Sequence, residues 1–284
     1  MKHEFEINQI LNSPLGVGGN TDLNSPLGVG GVRSVGGNTD LNSPLGVGGV
    51  RSAGGVWQLL FERQMQKLPS IASKVYLEGI EKAGFVADHI PDFEKETNPR
   101  LQKLTGWSVV GVSGLVPIKE FFELLADRKF PASTWLRYIE QLDYLEEPDM
   151  FHDTFGHVPL LTNQAFCNFL AEFSKISLRY INDDYAIKLL QKLYWFTVEF
   201  GLIRENQQTK IYGGGIISSS GESIYSLYSG VPERVPYSIE EIFETEVKID
   251  AYQKKYFVID SYEQLFQSLP KFEEILKQQL LVCQ

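Results

Sequence analysis

The nonapeptide LNSPLGVGG begins at residues 11, 23 and 41, and its last two copies run on into VRSVGG and VRSAGG. Internal repeats can announce a stacked solenoid, but each unit must then bring apolar surface to bury against its neighbour. These units set three glycines against a few small apolar side chains in nine residues. They offer little to stack, and their glycines raise the entropy lost on ordering. GVGG could also suggest a phosphate loop, yet neither Gly-Lys-Ser/Thr nor a helical pattern follows it. Residues 1–55 are therefore expected to be a disordered Gly-rich tail, leaving 56–284 to build one folded domain.

That domain has the means to form a core, since 43% of the 284 residues are hydrophobic. A net charge of −10 without a basic stripe argues against nucleic acid or an anionic membrane as partner. No apolar run approaches the ~18 residues of a membrane span, and MKHEFEINQI lacks a signal-peptide core. Cys167 and Cys283 do not amount to a disulfide framework. A cytoplasmic protein is the expectation.

Apolar residues at 57, 60, 61, 65, 68 and 71 predict helix between 56 and a stop at Gly84. Pro69 either kinks it or opens a second helix. His89, before Ile90 and Pro91, reads as a structural histidine in a turn. Residues 93–106 predict a further helix, Trp107 to Val112 a short strand, and Pro117 the start of another helix. Helices are predicted over 163–180 and 184–203, and the acidic segment 231–284 closes the domain with the amphipathic FEEILKQQLLV.

The chemistry concentrates in EPDMFHDTFGHVPLL, residues 147–161. It holds His152 and His157, two of four histidines in the chain. Neutral imidazole is a common ligand for transition metals. The spacing is five, not the four of a zinc-protease helix, and five steps of about 100° put the rings on different sides of a straight α-helix. Convergence then requires the helix to end between them, with Gly156 as the break and Pro159 preventing continuation. The best third ligand is Glu199, a lone charge in the apolar run LYWFTVEFGLI. Buried Glu is rare unless paired or bound to a metal. Two histidines and a carboxylate on one face of an ion form the triad of non-haem Fe(II) oxygenases, which leaves positions open for O2 and substrate. The competing reading has the histidines capping a helix and Glu199 paired with Arg204.

Three segments taken together, EPDMFHDTFGHVPLL, YWFTVEFGL (194–202) and YGGGIISSSGE (212–222), resemble the pterin-dependent aromatic amino acid hydroxylases, in order and spacing. The short bacterial phenylalanine-hydroxylating type is the most similar branch, and the resemblance runs from about Val56 to near the C-terminus. It implies a mainly α fold, a helical basket with a few short strands. It implies Fe(II) on His152, His157 and Glu199, a tetrahydropterin such as tetrahydrobiopterin, and O2 as co-substrate. Pterin contacts would come from Gly114, Leu115, Phe121, Asp153 and Tyr194, with Phe121 stacking on the ring. Phe121, Phe122 and Leu125 also sit at helical spacing and would be core in most proteins.

Substrate contacts implied by the resemblance are Arg137, Tyr144, Pro148, Trp195, Phe200, Gly215, Ser218 and Glu222. Arg137 would clamp the amino acid carboxylate, although a surface pair with Glu140 or Asp143 also suits it. Pro148, Trp195 and Phe200 would wall the aromatic ring, and Glu222 would support Arg137 or the substrate ammonium. Leu145 stands where the animal enzymes have Thr, a departure the bacterial branch shares. Asp149 is a candidate orienter of a ligand histidine. Without the regulatory domain and oligomerisation helix of animal members, a monomer is expected, with a small aromatic amino acid and a pterin as its partners. Tryptophan or tyrosine hydroxylation, a zinc-dependent hydrolase and a non-catalytic binding protein remain as alternative functions.

Overall fold

The computed structural model describes residues 52–142, 147–248 and 251–282. The tail expected over 1–55 lies almost wholly outside them. The domain nevertheless starts earlier than residue 56. Ser52, from the third repeat, caps a helix over Ala53–Met65, its hydroxyl accepting the Gly55 N–H at 3.2 Å. Two glycines that read as tail thus form the first helical turn, held by Val56, Trp57, Leu60 and Phe61 buried on one face.

The stretch to Gly84 divides into three helices, Ala53–Met65, Leu68–Ile71 and Lys74–Ala83, with Pro69 in the first turn of the second. Gly84 ends the third in the left-handed region at φ 79°, where a side chain would be strained. Phe93–Thr97 is a π-helical turn running into the helix Asn98–Leu104. His89 is structural as expected, with Nε2 2.8 Å from Glu96 Oε2.

Strand β1, Ser108–Val112, pairs in parallel with β2, Lys129–Ser133, across the helix Ile118–Ala126. That helix packs on Gln164–Arg179, which in turn packs on the long closing helix Tyr262–Val282. The predicted helix over 184–203 is shorter. It is α-helical over Asp184–Tyr194, widens to a π turn over Trp195–Glu199, and then turns into strand β3, Leu202–Glu205. A hairpin at Asn206 and Gln207, both at positive φ, leads to β4, Gln208–Ile211. Strands β5, Glu233–Pro236, and β6, Lys255–Ile259, complete a sheet in the order β4-β3-β6-β5. The molecule is mainly helical, and the sheet supports one flank of the segment that carries Glu199.

Candidate active site

His152 and His157 lie on the same π-helical segment, Phe151–His157. The expected helix break at Gly156 does not occur. A π turn closes its hydrogen bonds from i to i+5, so residue i+5 returns beneath residue i. Widening the helix, not ending it, brings the two rings together. Gly156 has another reason to be glycine: a Cβ there would sit 2.8 Å from the Gly214 carbonyl oxygen. Glu199 closes the π turn Trp195–Glu199, so both ligand-bearing segments use the same wide helical form.

The two imidazole Nε2 atoms are 3.2 Å apart, and Glu199 Oε1 lies 3.2 Å from His157 Nε2. Glu199 Oε2 is 3.6 Å from His152 Nε2. Donor atoms about 2.1 Å from one ion and at right angles to each other would be about 3.0 Å apart. All three groups are buried, and Glu199 Oε2 has no hydrogen-bond partner among the described residues. An orphaned carboxylate oxygen facing two nitrogen lone pairs is the donor set of a small divalent cation. The alternative pairing is excluded, because Arg204 faces Asp260 at 3.6 Å on the surface.

The protonation of His152 suits that purpose. Ser218 Oγ donates to the Gly214 carbonyl at 2.9 Å, so it accepts the Nδ1–H of His152 at 2.9 Å. This leaves His152 Nε2 as a bare lone pair. Burial pushes the His152 pKa down to about 4, keeping the ring neutral. Burial opposes charge on His157 as well, but the Glu199 carboxylate outweighs it and holds its pKa above the usual value. Phe130 covers the His157 ring at 5.2 Å.

Asp149 organises the approach to the site. Its two oxygens accept the backbone N–H, Nε–H and Nη2–H of Arg137 at 3.0, 2.8 and 2.8 Å, and the backbone N–H of His152 at 3.0 Å. One carboxylate therefore fixes both the Arg137 guanidinium and the start of the ligand segment. Burial works against its charge, yet the Arg137 contacts hold its pKa below the ordinary value. The surface pair of Arg137 with Glu140 or Asp143 is thereby replaced by a buried, bidentate one. A further Arg137 N–H points to the Leu142 carbonyl at 3.3 Å, so three of the five side-chain donors are engaged.

A cleft of about 540 Å³, counting space open to solvent, lies beside the three ligands. Its lining includes Gly114, Leu115, Phe121, Asp153 and Tyr194, together with Pro148. Phe121 is both core and wall: it is 3% exposed and edge-on to Tyr194 at 5.6 Å. Asp153 accepts the Ser133 backbone N–H at 2.7 Å, and enclosure pushes its pKa up to about 7. Trp195 and Phe200 stack at 5.3 Å, and Gly215 packs against Glu199 and Phe200. Tyr144 lies outside the described residues, as does Leu145.

Glu222 does not support Arg137. Its Oε1 takes the Tyr256 hydroxyl at 2.6 Å and the Gln253 backbone N–H at 3.4 Å, away from the cleft. Fully buried with no countercharge, its carboxyl has a pKa pushed up to about 7. The folded chain thus retains a proton between about pH 4.5 and 7 that the unfolded chain releases. The stability this provides is full below about pH 4.5 and is lost as pH rises through 7. Glu222→Gln cannot ionise, so its unfolding midpoint should fall less between pH 5 and 7 than that of the unmodified protein. Equal falls in the two proteins would show that Glu222 does not titrate in this window.

Serine 133, Phe130 and Gly214 are functional neighbours that the sequence did not single out. Ser133 and Phe130 sit on β2, a strand interrupted by Pro131 and so without a strand signature.

Fold and site together define a non-haem iron oxygenase with an aromatic-lined cleft beside the metal ligands. Residues 51–284 match the family described as biopterin-dependent aromatic amino acid hydroxylase, and the chain belongs to that family. The phenylalanine-4-hydroxylase of Chromobacterium violaceum is 49% identical over 210 residues, covering 74% of this chain and 70% of that protein. A crystal structure of the C. violaceum enzyme with bound iron(III) and 7,8-dihydrobiopterin superposes with a TM-score of 0.77 at 46% identity, covering 82% of this chain and 83% of the other. Another, with iron and phenylalanine bound, gives a TM-score of 0.75 at 44% identity, with 81% and 84% covered.

Proposed function

We infer that the protein hydroxylates phenylalanine to tyrosine with O2, using Fe(II) and a tetrahydropterin. The observation that carries this reading is the buried His152, His157 and Glu199 cluster, with its orphaned carboxylate oxygen, at the head of the aromatic-lined cleft. Iron and tetrahydropterin supply O2 activation, which no side chain can perform. The relatives' bound iron, dihydrobiopterin and phenylalanine support the same assignment.

The chain's own residues bind, orient and exclude water. In this reading Phe121 stacks on the pterin ring with Tyr194 beside it, Gly114 and Leu115 offer backbone groups, and Asp153 reaches its polar side. Arg137, preset by Asp149, has two N–H groups left for the substrate carboxylate. Pro148, Trp195 and Phe200 hold the aromatic ring near the iron, with Tyr144 and Gly215 as further substrate contacts. Such positioning is worth several kcal/mol of barrier when the reacting atoms are held within about 3–3.5 Å. No described helix is long and apolar enough to cross a membrane, and a cytoplasmic monomer is part of the proposal.

The test is tyrosine formation from phenylalanine with Fe(II), O2 and a tetrahydropterin, each omitted in turn. Product only in the complete mixture is the expected result. Tyrosine formed without pterin would refute the cofactor assignment, and faster turnover of tryptophan would refute the substrate.

A further inference from the structure

The first helix packs against the back of the metal site. Trp57 stands edge-on to Phe151 at 5.5 Å, and Phe61 edge-on to Phe155 at 5.2 Å. Those two phenylalanines belong to the π-helical segment that carries both histidines. One turn further on, Gln64 is 2% exposed, and its Nε2–H donates to the Ile217 carbonyl. Lys67 then donates to the Ser220 carbonyl at 3.1 Å and the Ser220 hydroxyl at 2.7 Å. Ile217 and Ser220 bracket Ser218, the residue that receives the His152 Nδ1–H.

Gln64 carries a cost at this position. Its Oε1 is buried with no partner among the described residues, a penalty that a leucine of similar volume would avoid. The donated hydrogen bond is what the amide adds, and it falls on the residue next to Ser218.

We propose that Gln64, assisted by Lys67, is a positioning residue for the iron. It holds the 217–220 segment at the depth where Ser218 meets His152, and so keeps the His152 lone pair aimed at the metal. The inference rests on the reading of His152 as an iron ligand. It also gives the repeat-derived cap at Ser52 a consequence, because that cap starts the helix on which Gln64 stands.

The test uses the iron-loaded full-length protein and its Gln64→Leu, Lys67→Met, His152→Ala and Tyr237→Phe variants. Two properties are read: the rate of iron loss to a chelator, and the electron paramagnetic resonance spectrum of the ferric form. Tyr237→Phe also removes one hydrogen bond, to Ser268 at 2.9 Å, but remote from the metal. Gln64→Leu is expected to lose iron roughly tenfold faster, in the range seen when an outer partner of a ligand is removed, with a changed spectrum. Lys67→Met leaves the core untouched and should move both properties the same way by a smaller factor; it carries the test if Gln64→Leu does not fold. Tyr237→Phe should change neither. Unchanged release and spectrum in the Gln64 and Lys67 variants, or equal changes in Tyr237→Phe, would overturn the proposal. If His152→Ala held iron as tightly as the unmodified protein, the ligand reading would fail, and the positioning role with it. Iron lost from His152→Ala alone would sink only the positioning role.

Discussion

Glu199→Gln should fold normally and fail to retain iron. The amide matches the carboxylate in shape, so the packing against Trp195 and Phe200 survives. The charge does not. With burial penalising it, Glu199 keeps an ionised carboxylate because His157 and His152 lower its pKa, and an ion would complete that arrangement. Removing an outer partner of a metal ligand costs about 10–100-fold in affinity or activity, and removing a ligand should exceed that. Equilibrium dialysis against Fe(II), alongside circular dichroism to confirm the fold, checks the prediction. A Glu199→Gln protein with unaltered iron binding and turnover would contradict the ligand assignment.

Gly214→Ala is expected to disable the site by a different route. A Cβ at this position would overlap Cε1 and Nδ1 of His157, an imidazole enclosed on its other side by Phe130. The ring is packed and has no free end to swing aside. Overpacking of this kind typically costs about 1–3 kcal/mol, and here the displaced group is a metal ligand. A lowered unfolding temperature together with lost iron binding is the expected outcome. Gly114→Ala is the matched control, since nothing lies within 4 Å of the added methyl. It should leave stability within about 0.5 kcal/mol of the unmodified protein and iron binding intact. Wild-type iron affinity in Gly214→Ala would mean that the His157 ring is not held where the structure places it.

The metal ligands were legible because each is chemically out of place: two histidines close together in a histidine-poor chain, and one charge in an aromatic run. Their geometry was not. In an α-helix a separation of five demands a break. The π turns that solve the problem leave no compositional mark, because they differ from α only in which carbonyl each N–H selects. Strands β3 to β6 escaped notice for related reasons. The apolar run of Glu199 passes into β3 without a change of composition, and the hairpin turns on Asn206 and Gln207 without glycine.

Partners remote in sequence were the least accessible. Nothing near Glu222 points to Tyr256, and nothing near Gln64 points to Ile217. Arg137 and Asp149 are closer, yet two nearer acids competed for the arginine. Only the fold shows that Asp149 is buried beside it and also caps the ligand segment.

The central claim is that one ion is held by His152, His157 and Glu199 together. Anomalous diffraction at the iron edge from crystals of the iron-loaded protein tests it most directly. The account predicts a single strong peak within bonding distance of both Nε2 atoms and the Glu199 carboxylate. A peak elsewhere, or one that touches the histidines while Glu199 turns away, would contradict it.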